Sequence, residues 1–158
     1  MRNNRTLGTL LRHLTELLDG DAEAAYREAG LVYRPRYTPV VRLLTAQGPS
    51  TIRAISIYGG ISHSAASQTV TEMVKRGLVR SVPGKDARER IIRLTKAGEA
   101  LLPQLEKQWE ATNAAAEQLS EEIGIPLEDA LAKAIAAVES RSFLDRINEQ
   151  KARQQRTS

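Results

Sequence analysis

Residues 62–95, SHSAASQTVTEMVKRGLVRSVPGKDARERIIRLT, spell out an amphipathic helix, a strand, a basic turn and a second strand in that order. From Ser62 the apolar positions Ala66, Val70, Met73 and Val74 recur at helical spacing and predict one buried stripe. His63, Ser64, Ser67, Gln68 and Thr71 then share the opposite face, which is small, polar and nearly free of acid. Such a face can approach a partner rich in hydrogen-bonding groups without burying an opposed carboxylate. The base edges of a DNA major groove, with their donors, acceptors and thymine methyls, are a partner of that kind. A solvated face more usually carries Glu and Lys; this one carries hydroxyls and an amide. Gln68 is the residue best suited to base reading, because a carboxamide can pair with adenine through two hydrogen bonds.

Outward from the helix, Lys75, Arg76 and Gly77 fit a C-terminus, cations meeting the negative end of the dipole and glycine taking the left-handed turn. Leu78–Val82 and Ile91–Thr95 are β-prone runs joined by Pro83, Gly84, Lys85 and Asp86. Upstream, Thr51–Tyr58 reads as a short helix with Ile52, Ile55 and Ile57 inward and Arg53 outward. Ser50 or Thr51 is placed to cap it, Gly59-Gly60 forms the turn, and Ser62 is the next N-cap. These elements predict a helix-turn-helix with a wing: a mainly α fold with a small β-hairpin.

Gly60-Ile61-Ser62-His63-Ser64-Ala65, Lys75-Arg76-Gly77-Leu78-Val79, Asp86-Ala87-Arg88 and Leu94-Thr95-Lys96-Ala97-Gly98 together resemble the MarR-type (multiple-antibiotic-resistance regulator) winged-helix transcription factors. The resemblance spans roughly Tyr37 to Leu105. It implies a homodimeric transcriptional regulator, more often a repressor, released from DNA by a small-molecule effector in some members. It also implies that Asp86 supports the wing while Arg88 reaches the DNA minor groove. Wings of this family often carry a second Asp-x-Arg just before the first; here Pro83 and Lys85 occupy those places. Lys85 can act as a point charge toward phosphate but lacks the bidentate geometry of arginine.

Charge is distributed in keeping with a polyanionic partner. Residues 30–93 hold eleven Lys or Arg against three acids, a local excess of +8 in a chain whose total is +4, so the remainder sums to −4. Basicity is thus concentrated on the segment expected to touch DNA. Arg53, Arg76 and Arg80 are expected at phosphates. The expected DNA-binding set is Arg53, Ser62, His63, Ser64, Ser67, Gln68, Thr71, Arg76, Arg80, Lys85, Arg88 and Arg90.

The flanks read as helices. Arg5–Leu18 places Leu7, Leu10, Leu11 and Leu14 on a broad leucine face, Gly20-Asp21 is expected to interrupt it, and Asp21–Ala29 to restart. Leu31–Tyr37 is a connector whose Tyr33, Arg34, Arg36 and Tyr37 are expected in packing and solvation. Thr38 with Pro39 opens the next helix. Thr95 caps a long helix containing Pro103, expected to kink it, and Trp109, expected as a core or interface anchor. Leu127 to about Lys151 predicts one final helix with two apolar faces, carrying Leu131, Ile135, Val138 and Phe143. Two faces call for two partners, one of them a second copy of the chain. The resulting segmentation is 1–36 (N-terminal support and dimerisation), 37–95 (winged helix-turn-helix), 96–150 (C-terminal dimerisation) and 151–158 (flexible tail).

Other chemistries lack their residues. Zero cysteines exclude disulfides, thiol catalysis and cysteine metal sites. His13 and His63 lie on separate predicted helices and no Gly-x-Ser-x-Gly elbow occurs, so no catalytic residue, metal or cofactor is expected. The start lacks the apolar run of a signal peptide and no window reaches the length of a membrane span, which makes a cytoplasmic protein the expectation. The alternative function is a winged-helix scaffold that binds protein without reading DNA; it would not need the concentrated positive charge.

Overall fold

The computed structural model describes residues 5–86 and 88–157. The chain divides into two compact units, residues 1–109 and 110–158, with the boundary inside one helix.

The first unit opens with α1 (Leu7–Glu28), capped by Thr6, whose Oγ1 accepts from Thr9 N at 3.2 Å. The expected interruption at Gly20-Asp21 is absent: α1 is continuous for 22 residues. A single mid-helix glycine costs about 1 kcal/mol, too little to break a helix that good formers propagate on both sides. A 3-10 turn, Pro35–Tyr37, leads into α2 (Thr38–Gln47). Then come β1 (Ser50–Thr51), α3 (Ile52–Gly59), α4 (His63–Lys75), β2 (Val79–Pro83), β3 (Arg90–Leu94) and α5 (Lys96–Ile123).

The helix-turn-helix forms through local polar chemistry. Thr51 Oγ1 accepts from Ala54 N at the start of α3, and Ser62 Oγ from Ala65 N at the start of α4, both at 3.1 Å. Between them Gly60 takes φ +59°, the left-handed conformation that ends α3, and Ser56 Oγ donates to Ile61 O at 2.7 Å. Ile55 is fully buried whereas Ile57, expected inward, is exposed: two residues along a helix is about 200° of rotation. On α4 the buried stripe is Ala66, Thr69, Val70 and Met73. Val74 falls outside it, and Thr69 takes the place at its edge.

Both wing strands are displaced one residue from the expected spans. β3 lies central in a three-stranded antiparallel sheet of order β1-β3-β2, with Ser50 opposite Ile92 and Val79 opposite Leu94. The two-residue β1 has no sequence signal of its own. It exists because the start of α3 is held against the hairpin, and it anchors the base of the wing to the helix-turn-helix.

The hairpin is fixed to α5 by Thr95. Its Oγ1 donates to the Gly77 carbonyl at 2.5 Å and accepts from Gly98 N at 3.0 Å, while its backbone N donates to Leu78 O at 3.1 Å. Gly98 is buried against that carbonyl. A Cβ added there would stand 2.2 Å from Leu78 O, so the Leu-Thr-x-x-Gly spacing reflects a backbone-to-backbone approach. The core gathers Tyr37, Val40, Leu43, Ile55, Met73, Val79, Ile92 and Leu105. Pro103 stands inside α5 without ending it.

The second unit holds the rest of α5, then α6 (Leu127–Ser140) and α7 (Phe143–Thr157). The single final helix expected from Leu127 to Lys151 is therefore two. Arg141 is extended, and Ser142 restarts the helix by accepting from Asp145 N at 3.1 Å. Arg146 closes the corner, its guanidinium donating to the Ala137 carbonyl at 3.0 Å. Residues 151–157 continue α7, where a flexible tail was expected; good helix formers and an Arg153–Glu149 pair one turn apart sustain it. Ser158 lies outside the described residues. No helix among the described residues is long and apolar enough to cross a membrane.

Candidate nucleic-acid interface

α4 presents its polar side outward. His63, Ser64, Gln68 and Thr71 are exposed and Ser67 is half-buried, while Ala66, Val70 and Met73 hold the helix to the core. Two of the hydroxyls are already engaged. Ser62 caps the helix, and Thr71 Oγ1 donates to Ser67 O at 2.8 Å. Thr71 thus offers a methyl and an acceptor oxygen, whereas the Gln68 amide makes no hydrogen bond among the described residues and offers both of its groups. Arg53 on α3 is exposed beside the turn.

Glu72 is the single acid of α4, half-buried and neutralised by its neighbours. Its carboxylate takes a hydrogen bond from Tyr37 Oη and pairs with Arg34 at 3.5 Å, Arg76 at 3.5 Å and Arg36. Three guanidiniums and a phenol converge on one carboxylate, so the cluster keeps a positive excess even though Glu72 lines the same surface depression as Ser67, Gln68 and Thr71. Arg76 is consequently tied to its neighbour one turn back, and its freedom to follow a phosphate is smaller than the sequence implied. Arg34 and Arg36, expected in packing and solvation, are held as ion pairs on this carboxylate, Arg34 half-buried and Arg36 exposed.

The wing turn closes by Gly84 N donating to Glu89 O at 2.7 Å and Glu89 N to Asp86 O at 2.9 Å. Asp86 Oδ1 accepts from Arg88 N at 3.0 Å, a local bond that shapes the backbone carrying Arg88. Ala87 lies outside the described residues. Lys85, Arg88 and Arg90 are exposed, and Arg90 Nε donates to Ser81 Oγ at 2.8 Å. Strand parity separates the expected arginines: Arg80 faces Arg93 across the ribbon, while Arg90 is opposite Pro83 on the other face. Arg93 was not among the expected site residues. Its place becomes visible only with the register, which the sequence does not specify.

Arg53, Arg80, Lys85, Arg88, Arg90 and Arg93 form no ion pair among the described residues. Exposed cations on a helix and a wing, with the nearby acid offset by three arginines, make a surface suited to a polyanion.

Behind this surface runs a connected set of aromatic contacts. Trp109 Nε1 donates to Tyr26 Oη at 3.1 Å, Tyr26 meets Tyr33 edge-on at 4.8 Å, and Tyr33 meets Tyr37 edge-on at 5.5 Å. Burial pushes the Tyr33 phenol well above its ordinary range, so it stays neutral. The Arg42 guanidinium lies over the Trp109 ring at 4.8 Å, and its Nε is buried without a hydrogen-bond partner among the described residues. Trp109 thus anchors the core, as expected. Among the described residues no group of three or more His, Asp or Glu is placed to hold a metal ion.

Residues 33–89 match the model of the MarR family. No curated protein matches the chain. Among solved structures, the transcriptional regulator MOSR of M. tuberculosis in complex with DNA is similar at 21% identity and TM-score 0.72, over 88% of this chain and 100% of that one. A MarR family regulator of Listeria monocytogenes complexed with 26mer DNA is similar at 20% identity and TM-score 0.64, over 85% and 89%. NadR in complex with 4-hydroxyphenylacetate is similar at 23% identity and TM-score 0.55, over 85% and 96%. At these identities the likeness concerns the fold, which is that of the winged-helix regulators.

Proposed function

We propose that this chain is a sequence-specific transcriptional regulator that binds double-stranded DNA as a homodimer at a pseudo-palindromic operator, acting as a repressor. The observation that carries the reading is the exposed face of α4, bearing Gln68 and with its one acid, Glu72, held by three arginines, together with a wing of cations from Lys85 to Arg93 that form no ion pair among the described residues. In this arrangement α4 enters a major groove, where Ser64, Ser67, Gln68 and Thr71 meet base edges. The wing reaches the neighbouring minor groove with Arg88 at its tip. Arg53 and Arg80 hold phosphates and set register.

Dimerisation is supported by apolar side chains that find no cover within their own unit. On α1, Leu7 is 66% exposed, with Leu10 and Leu11 at about 40%; in the second unit Ile135 and Phe143 are more than half exposed, beside Leu131 and Val138. Apolar faces of this size mark interaction surfaces, and a second copy of the chain brings the same faces by symmetry. Regulation by a small molecule is supported by the fold shared with NadR, which was solved with an aromatic acid bound. A ligand acts by favouring a spacing of the two DNA-binding regions that does not fit the operator.

Mobility shift on duplex DNA at rising salt tests the reading. For a dimer neutralising six or more phosphates, log affinity is expected to fall against log salt with a slope of about −5 or steeper. A flat dependence would contradict it and favour the protein-binding scaffold.

A further inference from the structure

Glu72 stands one turn beyond Gln68 on α4, so the two side chains leave neighbouring positions of one helix face. They border the same surface depression, together with Ser67 and Thr71. The core-facing stripe of this helix is slight: Ala66, Thr69 and Val70 are short and Met73 is pliable. Packing of that kind resists withdrawal of the helix more than its rotation. A turn of about 15° moves a side-chain tip about 5–6 Å from the axis by roughly 1.5 Å. Hydrogen bonds tolerate only a few tenths of an ångström, so the rotation of α4 decides whether Gln68 meets a base edge.

What opposes rotation is polar. Tyr37, fully buried just ahead of α2, donates its phenol O–H to Glu72 Oε1. The phenol is itself held from behind, because Tyr37 meets Tyr33 edge-on at 5.5 Å, Tyr33 meets Tyr26 at 4.8 Å, and Trp109 Nε1 donates to Tyr26 Oη at 3.1 Å. The three arginines on the same carboxylate are a third to a half exposed, and ion pairs so open to solvent fix a position weakly. We infer that Glu72 is a positioning residue for recognition: the hydrogen bond it accepts from Tyr37 fixes the rotation of α4 and thereby the aim of Gln68, while the arginines offset its charge. The inference rests on the DNA-binding reading and adds to it a residue that sets specificity without touching a base.

The test uses full-length protein, below the melting transition of each variant, and reads the ratio of affinities for a duplex selected by wild type and for nonspecific duplex. Glu72→Ala and Glu72→Gln remove the same charge and raise affinity for both duplexes alike, but only the glutamine keeps an oxygen that accepts from Tyr37. Glu72→Ala is expected to lower the ratio at least about fivefold, the lower range for one bidentate base contact, while Glu72→Gln stays within about twofold of wild type. Tyr37→Phe, which leaves the charge in place, should resemble Glu72→Ala. In a Gln68→Ala background Glu72→Ala should change the ratio by no more than about twofold, because the side chain it aims is gone. Equal ratios for Glu72→Ala and Glu72→Gln would overturn the inference by leaving charge as the only effect. A loss as large without Gln68 as with it would overturn it as well, since the domain would then be loosened in general. A wild type with no preference between the duplexes removes the DNA-binding reading itself.

Discussion

In the proposed DNA-binding reading, two side chains divide the labour of recognition between sequence and charge. Gln68 is exposed on α4 with its amide groups unused by the rest of the fold, whereas Arg88 is exposed on a turn shaped by its own bond to Asp86. Gln68→Ala is expected to cost about 1–3 kcal/mol at the preferred base with no change in salt slope. Arg88→Ala is expected to cost a similar amount of operator affinity, about 1–3 kcal/mol, while leaving the dimer intact. Fluorescence anisotropy on matched and mismatched duplexes checks both; equal losses on every sequence for Gln68→Ala would remove it from base reading. The exposure of both residues follows from helical period and turn chemistry, and so was legible in the sequence. The engagement of Arg76 by Glu72 was not, because Glu72 gathers Arg34, Arg36 and Tyr37 from a connector more than thirty residues away in the chain.

Elements are held together here by backbone contacts as much as by side chains. The first turn of α5 crosses the end of α4 and the start of β2 through Thr95 and Gly98, which fixes the base of the wing. Gly98→Ala forces a methyl against the Leu78 carbonyl, and the resulting overpacking is expected to cost about 1–3 kcal/mol. Chemical denaturation measures it, and a stability equal to wild type would contradict the close approach. At this scale the strong local signals are legible in the sequence: the caps at Ser62 and Thr95, the cap at Ser50 or Thr51 that falls on Thr51, and the existence of the hairpin, though each of its strands lies one residue from the expected span. What escaped was set by competition. Gly20 reads as a break although its neighbours outweigh it, the helix start at Ser142-x-x-Asp145 is masked by the apolar pattern that runs through it, and β1 depends wholly on a distant strand.

For the whole molecule, the account requires two copies. The leucines of α1 and the apolar residues of α6 and α7 lack cover within their own units, and a two-fold axis is what turns one recognition helix into a reader of paired half-sites. Leu11→Lys and Ile135→Lys are each expected to raise the dimer dissociation constant at least about tenfold, seen by sedimentation as monomer at concentrations where wild type is dimeric. Unchanged mass in both variants would place the interface elsewhere. The most direct measurement of the central claim is selection of bound fragments from the source genome, followed by footprinting of the enriched sites. The account predicts two symmetric protected half-sites with centres about one helical turn apart and wing protection in the flanking minor grooves. A single asymmetric footprint, or no enrichment of any sequence, would contradict it.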